Sequence, residues 1–376
     1  MSRPALFVAV LALGTVAALA FQERGANLAA ATMVGGFAGF ALYHASFGFT
    51  AAWRRIVRER RGAGLRAQML LIGLTCLVSF PLIAWGTGDF AARGNILPMG
   101  VASAFGAFVF GAGMQLGGGC ASGTLFTVGG GSTRMVITLI FFITGSLLAT
   151  AHWDFWTTGA AAGDGALVSG LKDVVSYRLN DNRGISLLRE FGVGGALAIM
   201  ALVLGGIAIG SALIERRAHG GLEPRRRTGS ALSGPWSLTL GAVALALVGI
   251  GTFLVLGRPR GVTAGFALWG AHAWEAMGGD VSGWTYWQGW RASQVKASLF
   301  ANGTSVMNFG IVFGAMAAAA LAGKWAPGFN LSKRDLVTAV IGGLMMGYGA
   351  RLAYGCNIGA YLGGLVSGSL HGWWWL

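Results

Sequence analysis

Charge is scarce in this chain. Only 11% of its 376 residues are charged while 55% are hydrophobic, and the mean hydropathy is +0.64, far from the charged quarter of an average soluble domain. The shortage excludes a soluble globular fold and describes an all-α polytopic membrane protein. Cysteine is scarcer still. Cys76, Cys120 and Cys356 make no CxxC pair and no even set, which excludes a disulfide framework. The histidines, His44, His152, His219, His272 and His371, are scattered and make no ligand spacing with the cysteines, so no metal site is expected. No nucleotide-binding motif occurs, so ATP hydrolysis by this chain is excluded; no cofactor and no catalytic residues are expected.

What the chain has in abundance is apolar length. Runs near the 17 to 25 residues needed to span a bilayer occur at 4–21, 66–86, 97–116, 134–152, 192–215, 236–257, 297–323 and 334–353, with shorter ones at 33–52 and 261–278. The first is read as a retained span: only Arg3 precedes it, and Ala-Phe-Gln-Glu after it is a poor signal-peptidase site. The net charge of +14 is concentrated in two short connections, 54–66 and 216–227. This is the pattern of cytoplasmic loops, with lipid headgroups as a second reading, and no nucleic acid is expected as a partner. If 33–52 and 261–278 are re-entrant hairpins, both clusters fall on one side and the N-terminus lies outside. The competing arrangement makes 33–52 a full span with the N-terminus inside. The hairpins are the preferred expectation.

The chain also contains itself twice. GAGMQLGGGCASGTLF at 111–126 aligns without gaps on GYGARLAYGCNIGAYL at 347–362, setting Gly119 on Gly355 and Cys120 on Cys356. Upstream of each, AGFALYHA at 38–45 matches AGFALWGA at 264–271 in the same order. The expected organisation is an N-terminal half 1–215, a basic cytoplasmic linker 216–232 and a C-terminal half 233–376. Inverted halves of this kind place a substrate site near the midplane, where interrupted helices meet. GGGC and YGC are poor continuous helix, each internal Gly costing about 1 kcal/mol relative to Ala. Irregular backbone at membrane depth is tolerated only where it is buried or lines a cavity.

These motifs, together with GRPRGVTAGFALWGA at 257–271, resemble those of the YeeE/YedE family of bacterial inner-membrane proteins, members of which take up thiosulfate. The resemblance covers nearly the whole chain. It implies an hourglass-shaped carrier of about eight or nine spans plus short re-entrant helices, with Cys120 and Cys356 at the waist. It also implies a soluble sulfur-carrier partner of the TusA type. A third family cysteine falls in the stretch Ser46-Phe47-Gly48-Phe49, where this chain has Gly48. That departure leaves thiosulfate and another sulfur or selenium species both open as substrates.

The chemistry of such a path is restrictive. A small sulfur dianion crossing hydrocarbon must exchange its hydration for donors. Backbone amides at broken helix ends supply these without a full buried charge, and a neutral thiol adds a weak S–H donor for a soft sulfur. On this reading arginine is kept to the vestibules, because binding must allow release. Ser122, Thr124 and Asn357 follow the cysteines and are either donors to the anion or helix caps. Arg351, where the first repeat has Gln115, is expected at one mouth or paired with Glu275; Glu275 and His272 are a minor candidate for proton coupling. Cys76 is read as core packing. Trp269, Trp274, Trp284, Trp287 and Trp290 are assigned to the interfacial belt, and 153–191 to an extramembrane loop. The competing function class is a membrane thiol redox enzyme cycling Cys120 and Cys356, for which the sequence offers no resolving partner.

Overall fold

The computed structural model describes residues 1–157, 184–224, 228–328 and 331–376. Asp164, Asp173, Arg178 and Arg183 of the expected loop, and Arg225, Arg226 and Arg227 of the linker, lie outside the described residues. The chain folds as α1 (Arg3–Arg24), α2 (Ala26–Ala45), α3 (Phe49–Glu59), α4 (Ala63–Trp85), α5 (Val101–Gly117), α6 (Ala121–Gly129), α7 (Thr133–Ala151), α8 (Leu187–His219), α9 (Leu238–Leu256), α10 (Thr263–Ala276), α11 (Gly303–Leu321) and α12 (Lys333–Leu352), followed by a short π-helical turn, Asn357–Leu362. Nine segments among the described residues are long and apolar enough to cross a membrane, and no strand occurs there. The polytopic all-α class is therefore the observed one.

One expectation is overturned. Residues 33–45, read as half of a re-entrant hairpin, belong to the 20-residue α2, and the helix does not break at its glycines. The reason is packing. Gly35 and Gly39 of GGFAG face the backbone of α11 at Met307 and Ile311, while Gly310 and Gly314 of α11 face the backbone of α2 around Gly36. Small residues on both faces let two helices approach until their backbones touch, the usual way to bind helices where hydrocarbon surrounds both. Here glycine makes an interface instead of a turn.

The same contacts fix the ends. α2 and α11 run parallel, so Leu321 lies at the end where α2 gives way to the arginines of 54–66. Ser2 N donates to Ala320 O at 2.9 Å. The N-terminus therefore sits at the basic end, as in the arrangement where 33–52 is part of a full span. By contrast α10, within the second expected hairpin, has 14 residues and is not among the nine spans. A second tight group places α12 between α5 and α7, again on glycine: Gly342 meets Gly117, and Gly347 meets Gly145.

Gly39→Val is expected to destabilise the protein by about 1–3 kcal/mol, the usual penalty of overpacking, because the added carbon meets the Ile311 backbone. Gly14→Val, with no atom near the added carbon, is the control. Thermal unfolding of the purified protein measures both; equal midpoints would refute the α2–α11 contact.

Candidate functional site

The glycines that do break a helix lie before the cysteines. α5 ends with Gly118 at φ 85°, in the left-handed region open to glycine, and Cys120 then takes an extended conformation as the residue that starts α6. In the second motif α12 ends at Leu352, Tyr354 takes φ 61°, and Cys356, again extended, starts the π-helical turn. Tyr354 is not glycine, so its left-handed backbone is held by its surroundings at a cost of about 1–3 kcal/mol.

Both breaks are closed by local bonds. Cys120 O accepts from Thr124 N at 2.7 Å and Thr124 Oγ1 at 3.0 Å. Cys356 O accepts from Ala360 N at 2.9 Å. Cys120 Sγ lies 3.5 Å from Ser122 Oγ, and the Cys356 thiol is approached by the amides of Ile358 and Gly359. Cys120 and Cys356 are buried free thiols. Asn357 is buried beside them with its Oδ1 unpaired.

Sequence reasoning missed the group that joins these thiols. The connection Gly257-Arg258-Pro259-Arg260-Gly261-Val262 dips toward them between α9 and α10. It is tied by Arg93 N to Gly257 O at 2.8 Å and by Asn308 Nδ2 to Val262 O at 2.9 Å. A cavity of about 280 Å³ opens over it, with Arg93, Arg258, Arg260 and Asn95 in its wall alongside Tyr354 and Gly355. Arg93 and Arg258 are exposed at its mouth, whereas Arg260 is 8% exposed at its floor. Among the described residues no carboxylate lines this cavity, and Arg260 Nη1 has no hydrogen-bond partner there. Arg260 shares that wall with Gly355, the residue before Cys356. Burial lowers its pKa to about 10, so it stays protonated at neutral pH. The expectation that arginine stays in the vestibule is thus corrected for Arg260. Its signal was on view in GRPRG, two arginines around a proline in an apolar setting, but sequence alone gives no depth for them.

Arg260 also borders a small, apolar cavity of about 30 Å³ with Phe49 and Ile358, room for about one water. Phe49 follows Gly48, which caps α3. Phe49, next to Gly48, therefore shares a cavity wall with Arg260 and with Ile358 of the second cysteine motif. Gly119 and Gly355 precede the two thiols as expected. Other residues are not brought in. Gln115 is exposed near the end of α5, and Glu275 is exposed at the far end of α10, about 18 Å along the helix from Thr263 at 1.5 Å per residue. Arg351 is 6% exposed and neither attracts at a mouth nor pairs with Glu275; it donates to Tyr286 Oη at 2.9 Å and Thr263 Oγ1 at 2.7 Å. It thereby holds the start of α10, which carries the Arg260 connection. His272 is half-buried on α10 with Nε2 unpaired. Cys76 is buried and its thiol faces Leu365 O at 3.7 Å.

Among the described residues the cavity wall holds three cations and no anion, a lining complementary to negative charge, and a guanidinium, more weakly hydrated than an ammonium, is the cation suited to burial. The family model described as "Sulphur transport" matches residues 44–376. The chain is 30% identical to the thiosulfate transporter TsuA of Spirochaeta thermophila over 281 residues, 73% of this chain and 72% of that protein. It is 22% identical to the thiosulfate transporter TsuA of Escherichia coli over 353 residues, 90% and 87% of the two. With the probable transporter YedE of Escherichia coli the identity is 29% over 138 residues, 37% of this chain, and the chain spans 34% of that relative's length.

Arg260→Gln is expected to weaken binding of sulfate, used as a probe dianion, by roughly ten- to a hundredfold, the loss of a charge-assisted hydrogen bond of about 1.5–3 kcal/mol. Isothermal titration calorimetry reads this, and an unchanged affinity would remove Arg260 from the site. Arg260→Lys tests the charge. A buried lysine loses its proton more readily than arginine, so sulfate binding by this variant should fall as pH rises through the alkaline range where the native protein still binds.

Proposed function

The chain belongs to the sulphur-transport family, and from that membership and the geometry of the arginine cavity we propose that it takes up thiosulfate or a closely related small sulfur dianion across the bacterial inner membrane. The observation that carries this reading is the buried Arg260, which has no carboxylate partner among the described residues and shares a cavity wall with Tyr354 and Gly355 of the second cysteine motif. The basic end, with 54–66 and 216–224, faces the cytoplasm on the positive-inside rule, so the arginine cavity opens to the outside.

Arg93 and Arg258 gather the anion at the mouth, and Arg260 draws it to the floor as its water is stripped. Beyond Arg260 the donors become weaker and neutral: the Cys356 thiol with the amides of Ile358 and Gly359, then the Cys120 thiol with the Ser122 hydroxyl. The fall in donor strength along the path favours release, as conduction requires. The glycines at 119 and 355 leave the thiols unshielded, and Asn357 supplies a further polar group. Gly48 stands past the thiols, where the cavity beside Phe49 is too small for the anion and must widen for passage. A soluble sulfur carrier of the TusA type is the proposed receiver at the basic end. Two inverted halves meeting at these breaks, in an hourglass, is the architecture this reading assigns, with 216–232 as linker.

A second substrate reading follows from Gly48. With two thiols in place of three, the path also suits another sulfur or selenium anion of the same charge and size.

Uptake of labelled thiosulfate into proteoliposomes tests the proposal. Cys356→Ala and Cys120→Ala are each expected to slow uptake by about tenfold, and Arg260→Gln by more, since each removes a donor worth about 1 kcal/mol or above from the path. Equal uptake by all three variants and the native protein would end it. Gly48→Cys should raise the preference for thiosulfate over sulfate; an unchanged ratio would show that a third thiol has no part in selectivity.

A further inference from the structure

A second polar cleft lies at the basic end, away from the arginine cavity. Its upper part is a space of about 710 Å³ with Arg55, Arg66, Glu223, Trp236 and Ser237 in its wall. Its lower part, about 430 Å³, runs between α4 and α8 and is apolar, with Leu74, Leu77, Met200 and Leu204 in its wall. Arg66 and Leu70 border both parts, so the two form one cleft with a charged head and a greasy tail.

The physical setting limits what fills it. The lower part offers water no polar partners below Arg66, and an apolar cavity does not hold water. Leu70 and Leu77 are exposed on its rim, which in this membrane-spanning region opens it to hydrocarbon. The head is cationic. Residues 54–66 and 215–223 carry eight arginines against three glutamates, Glu59, Glu215 and Glu223. Glu215 is fully buried and accepts from Arg66 at 2.8 Å and Arg61 at 3.4 Å, which pins the end of α8 to the start of α4 and props the cleft open beneath. Arg66, bonded to Glu215 through Nη2, lines both parts of the cleft. Arg55 bonds Glu59 and Glu223 through Nε and Nη2. Beside the head, α3 buries Phe49, Ala52 and Ile56 and exposes Arg54 and Arg58, the make-up of a helix lying at a membrane surface.

We propose that this cleft is a binding site for an anionic phospholipid, its phosphate held by Arg55 and Arg66 and one acyl chain laid between α4 and α8. Charge complementarity selects the anionic headgroup, and the continuity of the apolar part with the head selects a lipid over a free anion. The site is independent of the sulfur-anion path.

The cleft can be filled by mutation without disturbing its walls. A Cβ at Gly205 meets no atom within 4 Å and Gly205 is in the wall of the acyl part, so Gly205→Trp is placed to occupy it. Arg55→Gln, on a partly exposed residue, weakens the head. Native mass spectrometry of the full-length protein, with phosphatidylglycerol, phosphatidylcholine or inorganic phosphate added, is the test, alongside thermal unfolding in the same mixtures. The native protein should retain phosphatidylglycerol on the order of tenfold better than phosphatidylcholine, and be stabilised by it and not by phosphate. Both variants should lose that retention and that stabilisation. Equal retention of the two lipids, stabilisation by phosphate alone, or retention unchanged in both variants would overturn the site.

Discussion

A broken helix in hydrocarbon has nowhere to send its free backbone groups, and no lipid will take them. Two of this chain's helix breaks, after Gly118 and after Leu352, carry the motif cysteines, and much of the architecture follows from keeping those breaks out of lipid. Within each break the residues nearby close the exposed carbonyls, Thr124 on Cys120 and Ala360 on Cys356. Around them, helices approach on glycine: α2 against α11, and α12 against α5 and α7. Close approach leaves no gap through which lipid reaches the irregular backbone. What remains inside is a set of extended residues with two thiols and, from the neighbouring connection, one guanidinium.

That guanidinium carries the electrostatic logic. A buried cation without a carboxylate partner is costly, and a protein built only for stability would pair or replace it. Arg351 is treated differently: its guanidinium is bonded to Tyr286 and Thr263 and serves the scaffold. Arg260 makes no such side-chain bond among the described residues and lines the cavity. The contrast between two buried arginines, one tied into the packing and one in a cavity wall, separates structure from binding more clearly than burial alone.

The spans and the two cysteine breaks were legible because length, hydropathy and a gapless repeat survive in one dimension. Three things were not. Glycine reads the same in a turn and in a helix contact, so GGFAG suggested a hairpin where α11 in fact supplies the facing surface. Depth is absent from sequence, so the arginines of GRPRG passed as part of a motif while Arg260 lies at a cavity floor. Partners distant in the chain are invisible as well: Arg351 meets Tyr286 across 65 residues, and a nearby-looking Glu275 was the natural but mistaken choice. Each failure concerns a pairing made by tertiary structure.

The central claim is that one small dianion bridges Arg260 and the Cys356 thiol. Selenosulfate, thiosulfate with selenium as its terminal atom, makes this directly visible by anomalous scattering in crystals of the protein. The account predicts a selenium peak in contact with Cys356 Sγ and oxygen density on Arg260, both lost in Arg260→Gln. Bound selenosulfate located away from both residues would contradict it.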